Sequence, residues 1–599
     1  MTGPASVVTA ATPSTFVVDS IGDGADVSGS DGICRTASGE CTLRAAIQEA
    51  NRDPGHDRIE FAVPGGGTKR IEPATQLPFV TDPAGVTIDG TTQPGSSVNT
   101  LTAGSNAVIR IELKGRGYGE FAGLFFRSDG NVVRGLALFD FADHLRFLSD
   151  DTATADRNVV AGNFVGTDAT GTFVAPMFDA SSNAITIQGG ASDNLVGGPA
   201  PADRNVISGS HGRGVLITDV GTARNVIEGN VIGLAPDGSS ARRNWSHGID
   251  VQYGARDNVV RDNVVSGNYR SGIEISHNAL DSADHRRAHG GPGETTGNVV
   301  EGNLVGTDAT GTRADVELAN GEYGIGLEGR GLCAVTCPPD SNRNRVTDNV
   351  VIGSRTDVKI WRGSSSNTVS GNRIGVLDDG VTAPAGTTEW GVVVEVGAVD
   401  NLIEGNVVTG AATGILLTPT NTVGRGDGTY AVSGNTLRSN SIFGVSPGLA
   451  VDLAPAGSPT PSPDASLVQD GVRIGVITHA TPDAVRVDAC AGCVVELFLT
   501  EASASPYGQG RTSLGVATAV AATGSGATAV FPSATSPGVA ALRPGDEVSA
   551  LVTDRGGSTS EFSRRRIVVA IGDERVGPAI DRSASATGPA VRCALSPAC

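Results

Sequence analysis

The chain has 599 residues, with 83 glycines, 30 prolines, 4% aromatic residues and a formal net charge of −20. This composition excludes a coiled coil, a collagen (there is no Gly-X-Y period) and general disorder, because valine, isoleucine and leucine recur in short regular runs. The acidic balance argues against a phosphate-binding role on nucleic acid, and no apolar run reaches the ~18 residues of a membrane span.

As it stands, Met1–Ser14 lacks the charged start and apolar core of a signal peptide. The one convincing helix is Thr42-Leu-Arg-Ala-Ala-Ile-Gln-Glu-Ala-Asn51. Thr42 suits its N-cap, and Leu43, Ala46, Ile47 and Ala50 share a face. A solenoid needs its open end covered, so this helix is expected to cap the first rung. Cys34-x6-Cys41 followed by this helix resembles the CSLREA domain of exported bacterial proteins. Asp82–Gly95, with Val86-Thr-Ile-Asp-Gly90 and Gln93-Pro-Gly95, is similar to that domain's usual continuation. The resemblance covers about residues 14–100. It implies export to the bacterial surface or medium and a β-helix, but no particular reaction.

From Asn131 to Asn440 the sequence repeats. Asn158-Val-Val-Ala-Gly-Asn163, Asn225-Val-Ile-Glu-Gly-Asn230, Asn298-Val-Val-Glu-Gly-Asn303 and Asn401-Leu-Ile-Glu-Gly-Asn406 share one unit. A second unit, Gly-apolar-x-apolar-x, follows in Gly248-Ile-Asp-Val-Gln252 and Gly272-Ile-Glu-Ile-Ser276. These are short strands of period two, broken by Gly and Asn expected at left-handed turns. One coil cannot bury its apolar face alone, whereas stacked coils can, with asparagine amides laddering at the bends. The fold class expected is all-β: a parallel β-helix, right-handed as in known families of this architecture, with an N-terminal helix cap and a C-terminal β-sandwich.

Alignment of the Gly-apolar-x-apolar-x strands puts two x columns on one face, expected to meet solvent. The first runs through Asp250, Glu274, Gly326, Lys359 and Val393, the second through Gln252, Ser276, Glu328, Trp361 and Glu395. All three tryptophans lie within residues 245–390, and Lys359 is one of three lysines in the chain. Carboxylates beside aromatic rings suit a polysaccharide groove. Asp250, Glu274 and Glu328 are the candidate catalytic carboxylates. Asp250 and Glu274, on adjacent rungs, fit the ~5–5.5 Å of a retaining glycosidase, and either one with Glu328 fits the ~6.5–9.5 Å of an inverting enzyme. His247, Gln252, Tyr253, Tyr269, Arg270, His277, Tyr323, Lys359, Trp361, Arg362, Trp390 and Glu395 are candidates for holding or orienting substrate. Lys359, with Arg362 and Arg270, would alternatively serve a β-helix polysaccharide lyase or epimerase, although a salt bridge from Lys359 to Glu328 explains it better. A non-catalytic carbohydrate-binding or adhesive protein is the third reading.

His277, Asp281, Asp284, His285 and His289 read as a loop bordering the groove rather than a metal site. Asp168 and Asp308, in the repeated Gly-Thr-Asp-Ala-Thr-Gly-Thr loops, are alternatives for structural calcium or for plain turn formation. No other cofactor is expected. The cysteines pair locally as Cys34/Cys41, Cys333/Cys337, Cys490/Cys493 and Cys593/Cys599, which reads as disulfide loops in an exported protein. The expected organisation is a cap with first coils over 14–100, the β-helix over 101–454 and a linker over 455–467. An accessory Ig-like sandwich over 468–570 and a loose tail over 571–599 follow.

Overall fold

The computed structural model describes residues 13–571 apart from 30, 118–120, 177–181, 278–292, 330–340, 381–387, 423–428, 454–467, 502–504, 522–525 and 533–540. Asp281, Asp284, His285, His289, Cys333, Cys337, Cys593 and Cys599 therefore lie outside the described residues, as do nearly all of the expected linker and tail.

Three parallel sheets wind around one apolar core. The first has 13 strands, from Thr15–Val18 to Thr436–Arg438, and the second has 12, from Lys69–Ile71 to Ser441–Ile442. The third has 11, from Leu124–Phe126 to Val451–Asp452. One turn visits all three in order, as in Val226–Glu228, Val231–Ile232 and Ile249–Gln252. This is the parallel β-helix that the repeats predict, right-handed as expected from known families of this architecture. Ile185, Val215, Ile249, Ile273, Ile325, Val358, Val392 and Ile415 stack in register inside the third sheet, all fully buried. Each such side chain contributes roughly 1.5–3 kcal/mol by leaving water.

The asparagines form ladders at the corners. In one ladder Asn263 donates its amide to Asn303 at 3.0 Å, and Asn303 donates to Asn349 at 2.9 Å. In the other main ladder the amide chain from Asn131 to Asn435 ends on Gln469, whose Oε1 accepts the Asn435 N–H at 3.1 Å. The expected left-handed asparagines are a correction. The left-handed residue is the one before the ladder asparagine, Asp257 (φ 56°) or Arg343 (φ 53°) for instance, which turns the chain so that the amide points inward.

Both ends are covered. The helix Leu43–Ala50 buries Leu43, Ala46, Ile47 and Ala50 on the first rung, and Thr42 Oγ1 accepts the Ala45 N–H at 3.1 Å. The Cys34–Cys41 disulfide closes the loop before it. At the far end two four-stranded antiparallel sheets share a core of Val485, Val487, Val495, Leu497, Val548 and Val552, forming the sandwich. This module is more than accessory, because Phe498, Leu551 and Phe562 belong to the solenoid's own core. Glu496 accepts the Ser439 N–H at 2.8 Å, Glu561 accepts the Leu453 N–H at 2.9 Å, and Gln509 donates to the Val445 carbonyl at 2.7 Å. Among the described residues no helix is long and apolar enough to cross a membrane.

Candidate active site

The third sheet carries the two columns in the register read from the sequence. Asp250 faces Glu274, Glu274 faces Gly326, and Gly326 faces Lys359. Gln252 faces Ser276, Ser276 faces Glu328, and Glu328 faces Trp361. A further outward column lies one bend earlier. A Cβ on Gly248 would sit 2.5 Å from Val265 Cγ1, and one on Gly324 would sit 2.3 Å from Val351 Cγ1. These glycines therefore turn inward, and the residues before them turn out toward the columns. That places Arg213, His247, Ser271 and Tyr323 beside the carboxylates. Arg213 is the site residue that the sequence pattern missed, because period-two alternation breaks at the following glycine.

The columns do not meet solvent as expected. Asp250 is 2% exposed, Glu274 3% and Lys359 0%. His247, Gln252, Tyr253, His277, Tyr323, Trp361, Trp390 and Glu395 are buried as well. At a rung spacing of ~4.8 Å long polar side chains lie across one another and exclude water. The candidate site is thus a packed polar layer rather than an open groove. Glu328 and Arg362 keep partial solvent contact, and Tyr269 and Arg270 are exposed.

Ion pairs organise this layer. Arg213 Nε lies 2.6 Å from Asp250 Oδ2, Arg362 Nη1 2.5 Å from Glu328 Oε1, and Lys359 Nζ 2.7 Å from Glu395 Oε1. Arg362 closes its strand in a left-handed conformation (φ 54°), and its guanidinium packs over Trp361 at 4.2 Å. Lys359 also donates to Tyr323 Oη at 3.3 Å and packs against the rings of Tyr323 and Trp361. The bridge expected between Lys359 and Glu328 thus gives way to pairs with Glu395 and Arg362 respectively.

Glu274 differs from its neighbours. Burial pushes its carboxyl well above the usual range, the charges of Glu328 and Asp250 push the same way, and the Ser271 hydroxyl opposes them. Its Oε2 has no hydrogen-bond partner among the described residues and lies 4.0 Å from His247 Nδ1. Burial lowers the His247 imidazole to about 4, so this histidine is neutral. A carboxyl whose neutral form is favoured by burial therefore lies between two carboxylates held by arginines. Proton donation beside an ionised carboxylate is the division of labour that glycoside hydrolysis requires.

Both loop aspartates take part in their turns. Asp168 Oδ1 accepts the Thr172 N–H at 2.9 Å and Asp308 Oδ1 accepts the Thr312 N–H at 3.1 Å, each closing its own turn. Among the described residues no group of three or more His, Cys, Asp or Glu is placed to hold a metal ion.

No protein-family model and no curated protein matches the chain, so the CSLREA resemblance rests on its own residues. Solved structures do match in fold. The Dettilon tailspike protein is 16% identical over 89% of both chains, with a TM-score of 0.42. The A-module of the Azotobacter vinelandii mannuronan C-5 epimerase AlgE6 is 16% identical over 72% of this chain and 93% of its own, with a TM-score of 0.34. The catalytic domain of a GH87 α-1,3-glucanase in complex with nigerose is 11% identical over 65% of this chain and 57% of its own, with a TM-score of 0.30. These neighbours include carbohydrate-active proteins, and the likeness is one of chain course alone.

Proposed function

We propose that the chain is an exported bacterial glycoside hydrolase acting on a polysaccharide, with Glu274 as general acid. The observation that supports this most is the Glu274 carboxyl, buried and pushed toward its neutral form beside Asp250 and Glu328, each ion-paired to an arginine. Glu274 gives its proton to the glycosidic oxygen as the bond to the anomeric carbon breaks. Asp250, on the adjacent rung, attacks that carbon in a retaining reaction. Glu328 activates water in an inverting one. The neutral His247 beside Glu274 leaves the acid its proton. Substrate enters past Arg213, Glu328 and Arg362, the members of the cluster that keep partial solvent contact. The two described disulfides, Cys34–Cys41 and Cys490–Cys493, fit an oxidising compartment outside the cytoplasm, as the CSLREA resemblance implies.

The test is mass spectrometry of products after incubation with neutral and acidic polysaccharides. Products that have gained water, and that disappear in Glu274→Gln, support the reading. Unsaturated products or sugars inverted at C5 refute it in favour of a lyase or epimerase. Against that alternative stands the pairing of Lys359 with Glu395 at 2.7 Å, which engages the lysine's nitrogen with a carboxylate rather than leaving it as a base. A second reading, glycan binding without turnover, is favoured by the near-complete burial of Asp250 and Glu274. Its signature is affinity with no product.

A further inference from the structure

The aromatic residues expected to form a sugar platform divide sharply. Tyr253, Tyr323, Trp361 and Trp390 are buried in the polar layer, whereas Tyr269 is 44% exposed. Tyr269 begins the bend that leads through Arg270, Ser271 and Gly272 into the strand Ile273–Ser276, so it lies five positions before Glu274 on the same rung. At ~3.3 Å per residue that is at most ~17 Å along the chain.

Its ring is held rather than loose. Trp245, one rung earlier, packs against it with centroids 5.5 Å apart and planes tilted by 52°. Trp245 is itself fixed by its indole N–H, which donates to the Ala175 carbonyl at 2.6 Å. On the next rung the corresponding position is Gly321, whose N–H donates to the Asn268 carbonyl at 3.0 Å. A Cβ there would sit 2.1 Å from the Tyr269 carbonyl oxygen, so no side chain stands beside Tyr269 on that rung. Arg270 adjoins it, exposed, and lies near enough to His247 for its charge to bear on that imidazole.

We propose that Tyr269, braced by Trp245 and flanked by Arg270, is a sugar-stacking subsite for a gluco-configured pyranose of a neutral glycan whose chain runs on to Glu274. This inference rests on the carbohydrate-active reading above. A pyranose with equatorial hydroxyls presents axial C–H groups on its faces, and these complement the negative face of an aromatic ring. Its hydroxyls meet the N–H donors of the exposed Arg270 guanidinium. Arg213 and Arg362 are already paired to Asp250 and Glu328, so they offer no spare charge to the carboxylates of an anionic polymer.

The test is calorimetric titration of the full chain, in the Glu274→Gln background to prevent turnover, with cellohexaose, maltohexaose and a mannuronate hexamer. Binding of a neutral hexasaccharide is expected, weakened roughly two- to tenfold by Tyr269→Ala and retained by Tyr269→Trp. Thermal denaturation of each variant separates lost stacking from lost folding. Equal affinity with Tyr269→Ala, preference for the mannuronate hexamer, or binding of none of the three overturns the subsite. If Tyr269 governs binding while the chain with its native Glu274 yields no product, the subsite stands and the hydrolase reading fails. If turnover needs Glu274 but Tyr269→Ala binds unchanged, the reverse holds.

Discussion

The Glu274 carboxyl occupies the space that a side chain at residue 326 would fill. A Cβ built on Gly326 would sit 2.5 Å from Glu274 Oε2 and 2.8 Å from its Oε1. Gly326 is the register partner of Glu274 on the next rung, so its missing side chain lets the acid lean along the solenoid axis toward Glu328. The obstructed atoms are the flexible end of a side chain, not backbone. Because that carboxyl is itself buried, Gly326→Ala is expected to cost roughly 1–3 kcal/mol while displacing the acid. Turnover on the polysaccharide found in the product screen should fall roughly 10- to 100-fold, as a misplacement of about 1 Å does elsewhere. Wild-type turnover in Gly326→Ala, with an unaltered melting temperature, would remove Gly326 from this role.

Glu274→Gln should abolish turnover and also alter the pH dependence of stability. The folded-state value of Glu274 lies above its ordinary 4.5, so the folded chain holds a proton that the unfolded chain releases. Stability is then undiminished below about 4.5 and falls as pH rises above it until the folded-state value is passed. The glutamine has no proton to lose. The variant should gain in melting temperature relative to wild type as pH rises from 4 to 8, by scanning calorimetry. In the infrared, the carbonyl stretch of a protonated carboxyl at pH 7 should weaken in the variant, and an unchanged band would assign the neutral acid elsewhere.

The junction with the sandwich carries a comparable group. Burial pushes Glu561 up to about 7, with Asp452 adding to the rise and the Leu453 N–H opposing it. Between its ordinary 4.5 and about 7 the folded state binds the extra proton, so the junction is firmest below about 4.5 and weakens until pH passes about 7. The change is at most about 3 kcal/mol. Glu561→Gln should flatten this slope, and hydrogen exchange at Val451–Leu453 should become less sensitive to pH. A slope identical in both proteins would refute the assignment.

Asn303 shows what a ladder position is worth. Its amide donates to the Val260 and Glu301 carbonyls and to Asn349, and its Oδ1 accepts from the N–H and the amide of Asn263. Alanine there leaves several buried backbone groups without partners. The expected loss is roughly 3–5 kcal/mol, read as a lower denaturant midpoint, whereas Asn303→Asp should recover only the accepting half.

The solenoid was legible because its information is local. Valine and isoleucine at every second position give the inward face, and the column from Asp250 through Glu274 to Lys359 follows from that alternation alone. Arg213 escaped because Gly214 interrupts the alternation at the bend. The burial of Trp361 and Glu395 escaped for another reason. Alternation tells which way a side chain leaves the sheet, not what packs above it. The role of the sandwich was equally hidden, since Glu496, Gln509 and Glu561 meet their partners across 57, 64 and 108 positions of chain.

Gln469 ends the asparagine ladder with a side chain one methylene longer, offered from the segment that enters the sandwich. A bare last rung would present amides and strand edges ready to pair with a strand edge of another molecule. With the ladder ended by Gln469 and Phe498, Leu551 and Phe562 packed into the solenoid's core, that edge is covered. The sandwich thus works against edge-to-edge association of so regular a stack.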